Sequence, residues 1–133
     1  MDFESLKQYL NEHADIKKIK ESVEGKKSFL SFDYKGLDCK FIYYSADNIL
    51  LLEISTNFKE KLFVHNKIKD TYFKWVDKTI NVPEDNYEHV TFVTVGSSNV
   101  FVSFYFFDLV FRLPAVLDSF KNEFLPSISS FIK

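Results

Sequence analysis

The chain holds one cysteine, Cys39, one arginine, Arg112, and three glycines among 133 residues. A lone cysteine excludes an internal disulfide and agrees with a reducing compartment; Cys39 reads as a buried strand residue rather than a reactive thiol. With sixteen lysines but one arginine, the chain lacks the guanidinium forks that clamp phosphate groups. Its net charge of −2 is spread without a strongly basic stretch, which argues against a nucleic-acid footprint. Gly25, Gly36 and Gly96 each stand alone, so no glycine-rich phosphate loop and no nucleophile elbow can be built. The longest apolar run is stopped by Asp108, Arg112 and Pro114 well short of a bilayer span, and no membrane association is expected. The opening residues Met1-Asp2-Phe3-Glu4 lack the basic and apolar regions of a secretory signal, which predicts a cytoplasmic location.

Metal and acid–base chemistry are equally poorly provided for. His13, His65 and His89 lie far apart, and the one carboxylate beside a histidine, Glu88 next to His89, points to the opposite face if that segment is a regular strand. The group Glu84, Asp85 and Glu88 reads as a solvated turn. Asp108 is the one carboxylate inside a strongly apolar run. It reads either as the end of a strand, meeting water or pairing with Arg112, or as a partly buried acid lining a pocket. No catalytic residue, metal or cofactor is expected.

What the chain has in excess is aromatic side chains, sixteen phenylalanines and seven tyrosines. Seven of them fall in Val90 to Phe111, two runs rich in Val, Phe, Tyr and Thr about the turn Gly96-Ser97-Ser98-Asn99, which predicts an antiparallel hairpin. Its second arm, Val100 to Phe107, is apolar on both sides and should lie covered at the centre of a sheet.

From the N-terminus, Phe3, Leu6 and Leu10 at helical spacing predict a helix from residue 3 to about 13, with Asp2 as cap and Glu4 favoured in the first turn by the helix dipole. Asp15 to Glu24 reads either as a second short helix ending at Gly25 or as an edge strand blunted by lysines. From Ser28 the period becomes two. Strands to Tyr34, from Leu37 to Tyr44 and from Ile49 to Ser55, joined by turns at Lys35-Gly36 and Ala46-Asp47-Asn48, form a meander. Asn57 and Glu60 form a capping box for a helix running from Phe58 to about Lys69. Tyr72 to Ile80 is compatible with a continued helix. Its aromatic and β-branched density favours a strand. Pro114 opens a closing helix with Leu113, Leu117, Phe120 and Phe124 on one stripe. Ile128 and Phe131 continue that stripe past Pro126, where a kink is expected.

These elements predict one α+β domain over residues 1–133: a curved, antiparallel, five- to six-stranded sheet with an N-terminal, a middle and a C-terminal amphipathic helix. Their order resembles the bacterial type III secretion chaperone and YbjN-like superfamily. The similar stretches are Phe29 to Tyr44 (FLSFDYKGLDCKFIYY), the helix Phe58 to Lys69, and Asn99 to Phe107 leading into the final helix. The resemblance implies a non-enzymatic, usually homodimeric protein that binds an extended segment of another protein in apolar grooves.

The tyrosine excess and the unbroken C-terminal stripe lead to the same expectation from the residues themselves. Such side chains are enriched at the centres of protein interfaces. Tyr72, Trp75, Tyr105, Phe107, Phe120, Phe124 and Phe131 are therefore the expected partner-binding residues of a chaperone, adaptor or inhibitor, with a possible second copy of the chain among the partners. An immunity or anti-defence protein blocking one enzyme needs only the same kind of shaped surface. The alternative from another class is a small-ligand cup enclosed by the sheet and the closing helix, edged by Asp108, His65 or His89.

Overall fold

The computed structural model describes residues 3–56, 64–79, 99–102 and 112–131. A first helix, α1 (Phe3–Glu12), leads into β1 (Ile16–Glu24), β2 (Lys27–Tyr34), β3 (Leu37–Tyr44) and β4 (Ile49–Ser55). These pair antiparallel in sequence order, and a short segment, β5 (Asn99–Val102), extends the sheet beyond β4. The chain is thus α+β with an antiparallel sheet, as its patterning implies. Asp15 to Glu24 resolves as an edge strand.

The turns fix the registers. Lys35 and Gly36 both take positive φ, 49° and 90°, the backbone handedness that lets two antiparallel strands join through two residues without splaying. Asp33 Oδ1 accepts a hydrogen bond from the Gly36 N–H at 3.1 Å. Gly25 supplies the positive φ, 60°, for the turn between β1 and β2. With these turns set, Leu30, Phe32 and Tyr34 of β2 share the inner face with Leu37, Cys39 and Phe41 of β3 and with Leu50, Leu52 and Ile54 of β4, all of them buried.

Edge strand β1 contains a bulge. Lys17 pairs with Asp33 and Lys20 with Ser31, so Lys18 and Ile19 together face the single residue Phe32, and Lys18 takes φ 58° to make room. The extra residue shifts the alternation. Ile16 points into the core, and beyond the bulge Glu21 and Val23 lie on that side while Lys20, Ser22 and Glu24 lie on the other.

The helices cover the inner face. Leu6 and Leu10 of α1 are wholly buried, worth about 1.5–3 kcal/mol each relative to exposure. Phe3 stacks on Tyr43 at 5.1 Å, and Lys7 reaches Glu21 at 2.9 Å across the sheet edge. The middle helix α2 (Val64–Thr79) corrects the expected strand at Tyr72 to Ile80 and with it the expected count of five to six strands: the meander has four, extended among the described residues only by the short β5. Ile68, Tyr72, Trp75 and Val76 form one buried stripe at helical spacing, with Lys69, Asp70, Lys74, Asp77 and Lys78 exposed opposite it. The β-propensity of those side chains is overridden by a packing partner from the far end of the chain.

That partner is the C-terminal helix. It begins as α3 (Leu113–Ser119) with Pro114 in its first turn, widens into a π-helical stretch (Phe120–Phe124), and ends as α4 (Leu125–Ser127) and a 3-10 turn (Ser129–Phe131). The widening explains how Pro126 is accommodated. Proline has no N–H for the Asn122 carbonyl, and its ring would crowd that carbonyl in a regular helix. Here the turn before it opens so that the Leu125 N–H reaches back five residues to the Phe120 carbonyl. The expected stripe survives, with Leu113, Leu117, Phe120, Phe124 and Ile128 all buried.

The capping box, the hairpin's first arm Val90 to Val95, the turn residues Gly96 to Ser98, and Ser103 to Phe107 lie outside the described residues. Asn99 does not belong to the expected turn: it is the first residue of β5 and pairs with Ser55. Among the described residues β3 holds the middle of the sheet, not the hairpin's second arm, because the two-residue turns at Gly25-Lys26 and Lys35-Gly36 and the four-residue turn Ser45 to Asn48 bind β1 to β4 into one meander around it.

Candidate functional site

Four of the seven rings expected to meet a partner meet one another instead. Tyr72, Trp75, Phe120 and Phe124 are at most 6% exposed in the chain on its own. Trp75 lies 5.5 Å from Phe120 and 5.6 Å from Phe124, and Tyr72 stands edge-on to Phe124 at 5.8 Å. Their presentation on an aromatic surface is thereby corrected: helical periodicity in α2 and in the C-terminal helix turns both aromatic stripes toward each other. Phe131 sits in the terminal 3-10 turn, and Tyr105 and Phe107 fall outside the described residues.

The polar groups at this junction are used for joining. Trp75 Nε1–H donates to Ser119 Oγ at 3.0 Å, and the Ser119 hydroxyl donates to Glu123 Oε2 at 2.7 Å. The single arginine, Arg112, donates from its guanidinium to the Thr79 carbonyl at 2.7 Å, satisfying a free carbonyl at the end of α2 with a cation placed where the helix dipole favours one. At the sheet end, the Tyr34 hydroxyl donates to Asp118 Oδ1 at 2.9 Å, Lys35 Nζ pairs with the same oxygen at 3.2 Å, and Lys121 donates to the Lys35 carbonyl. Burial first, then the Asp118 carboxylate, raises the Tyr34 hydroxyl above its ordinary pKa.

Among the described side chains, the cysteine and the histidine of the candidate set are tied into the structure. Cys39 is 1% exposed, and burial pushes its thiol far up, so it is held neutral and inert. His13 lies between Tyr9 and Tyr34 and accepts the Asp15 N–H at Nδ1. His65 is in α2, its side chain not among those described. His89, Glu88, Glu84, Asp85 and Asp108 lie outside the described residues, among which no group of His, Cys, Asp and Glu side chains has the geometry to hold a metal ion. No described helix is long and apolar enough to cross a membrane.

A different surface emerges from the register. On the outer face of the sheet, opposite the helices, the pairing sets Phe29, Ile42 and Leu51 side by side across β2, β3 and β4, with Tyr44 and Ile49 in the next row. All five are half-buried. Lysines border the patch with their ammonium groups over its rings: Lys40 Nζ lies 5.5 Å from the Phe29 ring centre and Lys27 Nζ 5.2 Å from that of Tyr44. Glu53, paired with Lys40, has its carboxyl raised by burial, with Lys40 pulling the other way. Farther along the same face the rows turn polar, with Lys17 opposite Asp33 and Asp33 opposite Asp38. Open hollows of about 250 and 300 Å³ there are lined by Lys17, Lys18, Lys20, Lys35, Asp33 and Asp38 among others. The outer face is therefore apolar at one end and charged at the other.

Residue types alone do not reveal this patch, because Phe29, Ile42 and Leu51 are ordinary strand residues. The signal lies in the turn residues Lys35-Gly36 and Ser45 to Asn48, which fix the pairing of β2, β3 and β4 that brings them together. No family model, curated protein or solved structure matches the chain.

Proposed function

We propose that the chain is a non-enzymatic protein-binding module that docks another protein on the outer face of its sheet. The observation that carries this reading is the half-exposed row Phe29, Ile42 and Leu51, flanked by Tyr44 and Ile49 and bordered by Lys27 and Lys40. An apolar centre of aromatic and branched side chains with a charged rim is the usual anatomy of a protein interface. A row running across three strands suits an extended segment or a helix laid over the sheet. The former agrees with the chaperone-like role implied by the resemblance to type III secretion chaperones. An adaptor, an inhibitor or an immunity protein would use the same surface. The small-ligand cup would be edged by Asp108, His65 or His89, none of whose side chains is among those described; the two hollows described near β1 are open and lined largely by charged side chains.

The test compares the immobilised chain with an Ile42→Lys variant of matching circular dichroism. A protein retained from the source lysate, identified by mass spectrometry and then purified, is expected to bind the unaltered chain and to lose at least about tenfold in affinity for the variant, the loss a single central contact carries. Equal affinity for the two chains overturns the proposal.

A further inference from the structure

Among the described residues β1 lies at one edge of the sheet with no strand beyond it, and past its bulge the stretch Lys20 to Glu24 is regular and exposed throughout. Edge strands present unpaired backbone groups and are ordinarily blunted. Here the blunting is confined to the first half, where the bulge and the positive φ of Lys18 interrupt the ladder. The second half carries Val23, 63% exposed.

The turn at Gly25-Lys26 determines which backbone groups of that half are free. A two-residue turn is closed by a hydrogen-bonded pair, Glu24 with Lys27, so Glu24, Ser22 and Lys20 direct their N–H and C=O groups toward β2. Glu21 and Val23 direct theirs outward. Charge is also ordered along the strand, with Lys17, Lys18 and Lys20 followed by Glu21 and Glu24. Among the described residues neither Lys20 nor Glu24 forms an ion pair with another side chain.

We propose that a second copy of this chain pairs antiparallel with β1 across a two-fold axis at Ser22. In that register Glu21 of each copy lies opposite Val23 of the other, and their outward groups form four backbone hydrogen bonds. Lys20 lies opposite Glu24 twice over on the outer face, and Ser22 faces its own symmetry mate. The reversal of direction matches the basic half of one strand to the acidic half of the other. The row Ser22, Phe29, Ile42 and Leu51 of each copy then runs on into that of its mate, forming one continuous stripe across both sheets. This pairing does not depend on the proposed docking of another protein, and its test is independent of that one.

Sedimentation equilibrium of the full chain is the test. A short strand-to-strand contact sits at the small end of specific interfaces, so the expected dimer constant is on the order of 10 µM. Val23→Pro removes an outward-facing N–H that the chain's own ladder does not use, and is expected to give a folded monomer. Lys20→Glu and Glu24→Lys each set like charges in opposition and are expected to weaken the dimer at least about tenfold, while an equimolar mixture of the two restores it. The charge variants carry the test if the proline variant does not fold. A monomer at concentrations of about 200 µM, twenty times that expected constant, overturns the proposal. So does a folded Val23→Pro chain that dimerises unchanged, or a mixture of charge variants that stays dissociated.

Discussion

Ser119 is the hinge pin between α2 and the C-terminal helix, and replacing it with alanine measures what the polar part of that junction contributes. The substitution removes one hydroxyl and no apolar volume. The Trp75 Nε1–H, which donates to that hydroxyl at 3.0 Å from a side chain only 6% exposed, is left without its acceptor. An unsatisfied buried donor costs about 1–3 kcal/mol, and the small residual exposure of the indole places the expected loss near the middle, about 1.5 kcal/mol. The lost bond to Glu123 adds little, because Glu123 is exposed and water replaces the hydroxyl. With a urea dependence of about 2 kcal/mol per molar, the unfolding midpoint should fall by about 0.75 M at unchanged slope. Trp75 is the only tryptophan, so its fluorescence reports this junction directly, with far-ultraviolet circular dichroism as a second probe. A Trp75→Phe variant followed by dichroism closes a double-mutant cycle, whose coupling should be about 1 kcal/mol. A midpoint for Ser119→Ala within about 0.15 M of the unaltered chain, or a coupling near zero, would refute the view that this hydrogen bond ties the two helices.

Two further outcomes follow from the backbone and from burial. Gly36→Ala should destabilise the chain by about 1 kcal/mol or more in the same urea assay, because φ is 90° there and an added Cβ meets no neighbouring atom, so backbone strain is the whole cost; an unchanged midpoint contradicts this. Tyr72 is wholly buried and its hydroxyl is raised well above the ordinary value of 10.0 by desolvation. The folded chain therefore holds the proton more tightly than the unfolded chain, so the stability from keeping it neutral is fully present below pH 10 and declines as pH rises above that value. The stability difference between the unaltered chain and Tyr72→Phe should accordingly shift in favour of the variant on going from neutral to strongly alkaline pH, and a difference constant with pH would be the contrary result.

The parts of the fold legible in the sequence are those decided locally. The period of two from Ser28 to Ser55 and the turn residues between its runs specify β2 to β4, and the Phe3, Leu6 and Leu10 spacing specifies α1. The segment Tyr72 to Ile80 is ambiguous in sequence because a strand and a helix both accommodate Tyr, Phe, Trp, Val and Ile. What decides between them is Phe120 and Phe124, more than forty positions away, which offer a helix-shaped surface to pack on. The same distance explains the candidate site. A count of aromatic residues does not say which way they face, and Trp75 and Phe120 are turned inward by each other. Phe29, Ile42 and Leu51 attract no notice as residue types, and gather only once two short turns have set three strands in register.

The bulge in β1 acts as a parity switch. Without the extra residue at Lys18 and Ile19, alternation from the Gly25 turn would put Ile16 on the outer face, and α1, which joins it through only three residues, would be delivered to the wrong side of the sheet. With it, Leu6 and Leu10 arrive over the core while Lys20, Ser22 and Glu24 stay outside. One residue too many, in a strand at the edge of the sheet, determines which face of β1 meets the core and which meets solvent.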